Sequence, residues 1–198
     1  RILPGIKQPE PADVMRGEET QIAGFLKQTP DYNGLICLPG THSKWVHVQN
    51  GQVVEFQTFM TGEVYDLLSR NSVLKHSVSG EGFSQSDFVD AAKSAFENPA
   101  DASSQLFRLR AQHLVHDTDA TVLRARLSGI LIGQEVAAME RQWNHLPITL
   151  IGEEALCSLY KSALEAVGKS VDLNLSAAPT LRGLIAIRTG KGSLCNAN

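Results

Sequence analysis

The stretch CLPGTHSKWVHV, residues 37–48, sets a polar tip between two apolar arms. An ordinary hairpin turn needs two turn residues. Here Gly40 lets the backbone approach a ligand closely, Thr41 and Ser43 add hydroxyl donors, and Lys44 adds a positive charge. Backbone amides at such a turn can form an anion-binding concavity. A Walker A loop would read Gly, four residues, Gly-Lys-Ser/Thr and lead into a helix. This loop leads into a strand, and taken alone it reads as a turn with incidental polar residues.

A second candidate is MRGEETQ, residues 15–21. Arg16 and Gly17 sit at a helix start, with Glu18 and Glu19 in its first turn. Acidic residues are favoured there by the helix dipole, so helix capping is the plain reading. In the chemical reading one carboxylate faces a cleft and takes the proton of an attacking hydroxyl, the base a kinase needs beside positioning and charge neutralisation. A third candidate is LIGEEALCSLYKSAL, residues 150–164, a strand, a turn at Gly152 and a helix. The glycine there permits a flat purine or a phosphate close to the helix start.

Other reactive side chains read as structural. His42 and His47 are five apart on a strand, point to opposite faces and cannot share a metal. His113 and His116 form an i,i+3 helical pair that reads as a solvated face, Cys157 lies on an apolar helix face, and Trp45 and Trp143 read as packing residues. No residue is assigned as a metal ligand.

The elements that must carry these groups follow from periodicity and turn chemistry. Pro4, Pro9 and Pro11 beside Gly5 predict an irregular or extended start. Asp13 is the expected N-cap of a helix over VMRGEETQIAGFLKQ that Pro30 stops. Residues 35–60 predict three antiparallel strands, with Asn50-Gly51 as the second turn. A helix follows with Thr61 as N-cap and Glu63 in its first turn, then a loop, then a helix capped by Ser86 or Asp87. Helical patterns cover 101–116 and 119–143, the latter with Gly129 and Gly133 four apart, a spacing suited to close helix packing. PITLIG is a buried strand, EEALCSLYKSALEAVG a helix, SVDLNLS a strand and PTLRGLIAIR a last helix. Strands, then alternating helices and strands, predict a mixed α/β fold.

Bulk properties exclude several classes. The 198 residues are 42% hydrophobic and 20% charged, ordinary for a globular protein. A net charge of −3 without a basic cluster gives no reason to expect nucleic acid. Three scattered cysteines, Cys37, Cys157 and Cys195, form neither a disulfide framework nor a zinc pattern, so a reducing cytoplasm is expected. No apolar run reaches membrane-spanning length, and no membrane partner is expected.

Taken together, VMRGEETQ, LPGTHSKWV, FMTGEVYDLLS, LSGILIGQEVAAM and ITLIG resemble the 2-dehydro-3-deoxygalactonokinase family, over essentially the whole chain to about residue 188. The resemblance implies a sugar kinase of the acetate kinase, hexokinase and actin-like superfamily, with a ribonuclease-H-like lobe whose mixed sheet is flanked by helices. It implies phosphorylation of 2-dehydro-3-deoxy-D-galactonate at its 6-hydroxyl by MgATP, a step of galactonate breakdown. On that reading Gly40, Thr41, Ser43 and Lys44 contact the nucleotide phosphates. Glu18 or Glu19 is the base, undivided by spacing, Arg16 holds the sugar-acid carboxylate or a phosphate, and Gly152 lies on the adenosine side.

The family's opening strand–turn–strand with an Asp-x-Gly phosphate motif has no counterpart in the sequence. The expectation is therefore a C-terminal portion, inactive by itself: residues 1–30 a remnant of the first lobe with the catalytic helix, 31–188 the nucleotide-binding lobe, 189–198 a tail. Two alternatives remain: a non-catalytic kinase-like nucleotide-binding or interaction module, and a hydrolase that turns the same carboxylates on water. Association into a homo-oligomer is left open beside all of them.

Overall fold

The clearest local signal is also where the main sheet is pinned. Asn50 and Gly51 both take positive φ, 51° and 69°, as a two-residue turn matched to strand twist requires. In the computed structural model, which describes residues 5–174, this turn joins β4 (Ser43–Gln49) to β5 (Gln52–Phe59). With β3 (Gly34–Leu38), β6 (Ile148–Ile151) and β7 (Val171–Asn174), they form a five-stranded sheet in the order β5-β4-β3-β6-β7. The β5-β4-β3 strands are antiparallel as expected, while β3–β6 and β6–β7 are parallel.

The chain divides into two compact units. Among the described residues the first takes 5–59, 145–157 and 171–174; the second takes 60–144 and 158–170.

In the first unit, α1 (Glu18–Leu26) lays Ile22, Phe25 and Leu26 on one sheet face, against Ile36, Leu38, Val46, Val48, Phe56 and Ile151. Nine residues are too few for a helix to hold itself in water. Burying three large apolar side chains, at about 1.5–3 kcal/mol each, is what fixes its place.

The start of the chain differs from expectation. Residues 6–15 form a hairpin, β1 (Ile6–Pro9) and β2 (Ala12–Met15), and α1 begins only at Glu18. Asp13 caps no helix. Its carboxylate accepts the Thr58 N–H and the Thr58 hydroxyl, both at 2.7 Å, and Gln8 Oε1 accepts the Phe56 N–H at 2.9 Å. Two side chains thus satisfy the exposed rim of edge strand β5 and dock the hairpin there. The hairpin's own strands pair antiparallel from Ile6–Met15 to Pro9–Ala12, and these side-chain bonds fasten it to β5.

The second unit is helical. It holds α2 (Thr61–Asn71), α3 (Lys75–Val78), α4 (Gln85–Glu97), α5 (Ala102–His116) and α6 (Ala120–Trp143), with most of α7 (Glu154–Ala166). Its core includes Leu74, Val78, Ala95, Leu109, Leu123, Leu127 and Ile130. Gly129 and Gly133 pack as their spacing suggests: a Cβ on either would strike the α4 backbone, at Phe88 and Ala92 respectively.

Capping is redistributed. Ser84, not Ser86 or Asp87, precedes α4, and its hydroxyl donates to Asp87 Oδ2 at 2.5 Å. That bond, with the Arg126 guanidinium, holds the Asp87 carboxyl below its ordinary range. Thr61 opens α2 after Met60 rather than capping it, and its hydroxyl donates to Glu135. Glu135 is buried in α6 and also accepts from the Tyr160 hydroxyl at 2.9 Å. His116 is exposed, but His113 is half-buried, its Nδ1 shut from water without a partner. No described helix is long and apolar enough to cross a membrane. The helix expected over PTLRGLIAIR, the tail 189–198 and Cys195 lie outside the described residues.

The close α4–α6 packing carries a test. Gly133→Val overpacks against the Ala92 carbonyl, a strain of about 1–3 kcal/mol, and should lower the thermal midpoint by roughly 2–12 °C. An unchanged midpoint in calorimetry would contradict the packing.

Candidate functional site

A parallel strand pair inside a mixed sheet marks a place for a ligand. Where neighbouring parallel strands send their chains in different directions, a crevice opens beyond their carboxyl ends. Strands β3 and β6 are such a pair. From β3 the chain turns back as β4; from β6 it turns into α7. The turn at 39–42 and Gly152 stand at those two ends, and a Cβ on Gly152 would lie 3.6 Å from the Pro39 carbonyl oxygen. Two of the three sequence candidates are therefore neighbours.

Within the turn, Gly40 is half-buried and Thr41 and His42 are exposed. Ser43 and Lys44 are not loop residues: they open β4 and are buried, 0% and 4% exposed. Strand alternation separates them. Lys44 pairs with Leu38, a member of the core beneath α1, so its side chain lies on the α1 face; Ser43 lies on the other. The Lys44 ammonium donates to the His42 carbonyl at 3.2 Å and meets Glu18 Oε1 at 3.3 Å. The third candidate thus joins the other two.

The start of α1 presents that carboxylate through Gly17, whose φ of 115° turns the chain from β2 into the helix. Such a backbone is natural to glycine and strained for other residues. The turn folds amides back onto the acids that follow: Glu18 Oε2 accepts the Arg16 N–H at 3.1 Å, and Glu19 Oε2 accepts the Gly17 N–H at 2.5 Å. The two acids differ. The Glu18 side chain is 27% exposed and touches Lys44, whereas Glu19 is buried. Arg16 is exposed at the same bend.

On the Gly152 side the chemistry is quieter. Cys157 is buried and its thiol is pushed up to about 11 by burial, then by the Glu153 charge, so it is an inert packing group. Glu153 accepts the Ala155 and Leu156 N–H groups, both at 3.0 Å, and these bonds hold its carboxyl below its ordinary range. A phosphate seated on that helix start would displace a carboxylate. Of the two ligands the sequence allows at Gly152, the flat purine fits better.

Sequence reasoning missed three contributors. The positive φ of Gly17 and the His42 carbonyl leave no composition signal. Glu153 does, as an acid directly before a helix.

A family model for 2-keto-3-deoxy-galactonokinase matches residues 1–187. The chain belongs to that family. Among the relatives of this galactonokinase-family chain, a Rhizobium meliloti (strain 1021) protein named as a 2-dehydro-3-deoxygalactonokinase is 44% identical, and an Escherichia coli (strain K12) 2-dehydro-3-deoxygalactonokinase is 37% identical. Each match spans 177 residues, 86% of this chain and 58% of the relative, so the chain covers little more than half their length. A crystal structure of a Sinorhizobium meliloti protein assigned as a 2-dehydro-3-deoxygalactonokinase superposes with a TM-score of 0.91 at 40% identity. It covers 96% of this chain and 65% of that one.

A more distant structure shares the fold alone. It is component A of (R)-2-hydroxyglutaryl-CoA dehydratase from Acidaminococcus fermentans, with a TM-score of 0.50 at 17% identity over 85% of this chain and 64% of that one. The fold is the mixed α/β arrangement around a mixed five-stranded sheet that the sequence led us to expect.

The bend at Gly17 yields a prediction. Nothing lies within 4 Å of a Cβ added there, so Gly17→Ala tests the backbone alone. Holding alanine at that φ should cost about 1–3 kcal/mol, read as a lowered thermal midpoint. Undiminished stability would mean that the bend relaxes freely.

Proposed function

We propose that this chain carries the nucleotide-binding lobe and the acceptor-activating helix of an ATP-dependent sugar-acid kinase. The acceptor is 2-dehydro-3-deoxy-D-galactonate, phosphorylated on its 6-hydroxyl in galactonate breakdown. The names of the family and its relatives support the substrate class. The single observation that carries the site is the 3.3 Å approach of Lys44 to Glu18 beside the 39–42 turn.

The residues divide the labour. The Gly40–Thr41 backbone and the Thr41 hydroxyl hold phosphate oxygens, with Lys44 as their buried positive charge. Ser43, on the opposite strand face, supports the turn from behind. Gly152 leaves room for the purine. Glu18, the more exposed acid, accepts the proton of the acceptor hydroxyl as its oxygen attacks the γ-phosphorus and the bond to the bridging oxygen breaks. Glu19, buried and bonded to the Gly17 amide, holds the bend in shape. Arg16 pairs with the sugar-acid carboxylate.

When bound, ATP supplies the transferable phosphoryl group and Mg²⁺ offsets its phosphate charge. Mg²⁺ usually keeps several waters and enters with substrate phosphates rather than in an all-protein cage, so no side chain of this chain is assigned to it. Among the described residues no group of three or more His, Cys, Asp or Glu side chains forms a metal cage. A small-molecule sugar acid and ATP as partners, and a cytoplasmic setting, complete the reading.

Two assays test it. In a form of the enzyme as long as its relatives, Glu18→Gln should lower kcat by about 10²–10⁴-fold, while Glu19→Gln keeps kcat near that of the parent and lowers the thermal midpoint. Loss of turnover at residue 19 alone, or at neither, would refute the assignment. A polypeptide of residues 1–198 alone should release almost no ADP in a coupled assay, because positioning needs both walls of the cleft.

A further inference from the structure

Lys44 has an unusual position for a phosphate ligand. Its side chain is almost sealed in protein, yet among the described residues its polar contacts are few: one carbonyl, from His42 at 3.2 Å, and one carboxylate oxygen, from Glu18 at 3.3 Å. An ammonium has three donors, so two serve these partners and one remains for a ligand oxygen. The pair is also loose. Charge-assisted N–H···O bonds settle at about 2.7–2.9 Å. Elsewhere in the same chain Lys169 reaches Glu140 oxygens at 2.6 and 2.7 Å. Lys44 shares its strand face with Ile36, Leu38 and Val46, where an uncompensated charge would be costly. A counter-ion is therefore obligatory, but the one present is held slackly, at the edge where a stronger anion would arrive.

We propose that Lys44 is an exchangeable counter-ion that couples nucleotide binding to exposure of the base. Before phosphate arrives the ammonium neutralises Glu18; when phosphate oxygens arrive the charge passes to them, and the Glu18 carboxylate is left to take the acceptor's proton. No covalent step is involved. This rests on the reading of the 39–42 turn as the phosphate site and adds an order of events: base release follows nucleotide binding. Its distinctive consequence is competition, because Glu18 opposes nucleotide binding by occupying Lys44.

A double-mutant cycle read by heteronuclear NMR titration with MgATP separates the possibilities. Glu18→Gln frees the ammonium and should tighten MgATP binding about fivefold, the equivalent of one partly exposed ion pair no longer competing. Lys44→Met should weaken binding, and in its background Glu18→Gln should bring no gain. An unchanged or weaker affinity in Glu18→Gln overturns the exchange while leaving the base assignment to its own turnover assay. A gain that persists in the Lys44→Met background reports simple charge repulsion and also overturns it. Should Lys44→Met fail to fold, Glu18→Gln against Glu19→Gln decides: the gain belongs to residue 18 only, and equal gains at both positions contradict the proposal. Absence of MgATP binding by the parent protein removes the phosphate reading and the exchange with it.

Discussion

A buried ammonium must find a negative partner, and that requirement ties the first unit together. Lys44 enters the α1 face because strand alternation opposite Leu38 puts it there. The acid that meets it stands at the first position of a helix too short to persist alone, held by Ile22, Phe25 and Leu26 against the sheet. Hydrophobic packing thus sets the position of a charge, and the charge in turn closes a site. Loosening the core beneath α1 would move Glu18 away from the turn as surely as replacing Glu18 itself.

Sheet topology explains why the site lies where it does. Four strands laid antiparallel would send their connections to both edges alternately. By pairing β6 parallel to β3, the chain brings the 39–42 turn and Gly152 to the same edge. The polar turn has the Lys44 ammonium beside it, while the α7 start is already occupied by the Glu153 carboxylate. These neighbouring positions differ in electrostatic character, one suited to phosphate and one to an uncharged ring.

Much of this was legible in residue order because local rules and global packing agree. Asn50-Gly51 can hardly be anything but the tight turn it is. Gly129 and Gly133 announce a close helix contact, and the bounds of α5 and α6 follow the apolar period closely. The opening segment was not legible. Two prolines argue against a hairpin, yet β1 and β2 pair antiparallel, and the Gln8 and Asp13 side chains dock the pair on a strand edge remote in sequence. Asp13 and Thr61 both look like helix caps, and both hydrogen-bond across tertiary contacts instead. At the site, residue types alone placed Glu18 and Glu19 equally. Only the fold distinguishes them, burying one and setting the other against Lys44.

Where the phosphates sit decides the role of Lys44 and of the turn beside it. A crystal structure with a non-hydrolysable ATP analogue and Mg²⁺ tests this most directly. Phosphate oxygens should lie within hydrogen-bonding reach of the Gly40–Thr41 amides and of Lys44, with the purine against Gly152. Density for the phosphates on any other face of the sheet, with Lys44 still bound to Glu18, would contradict it.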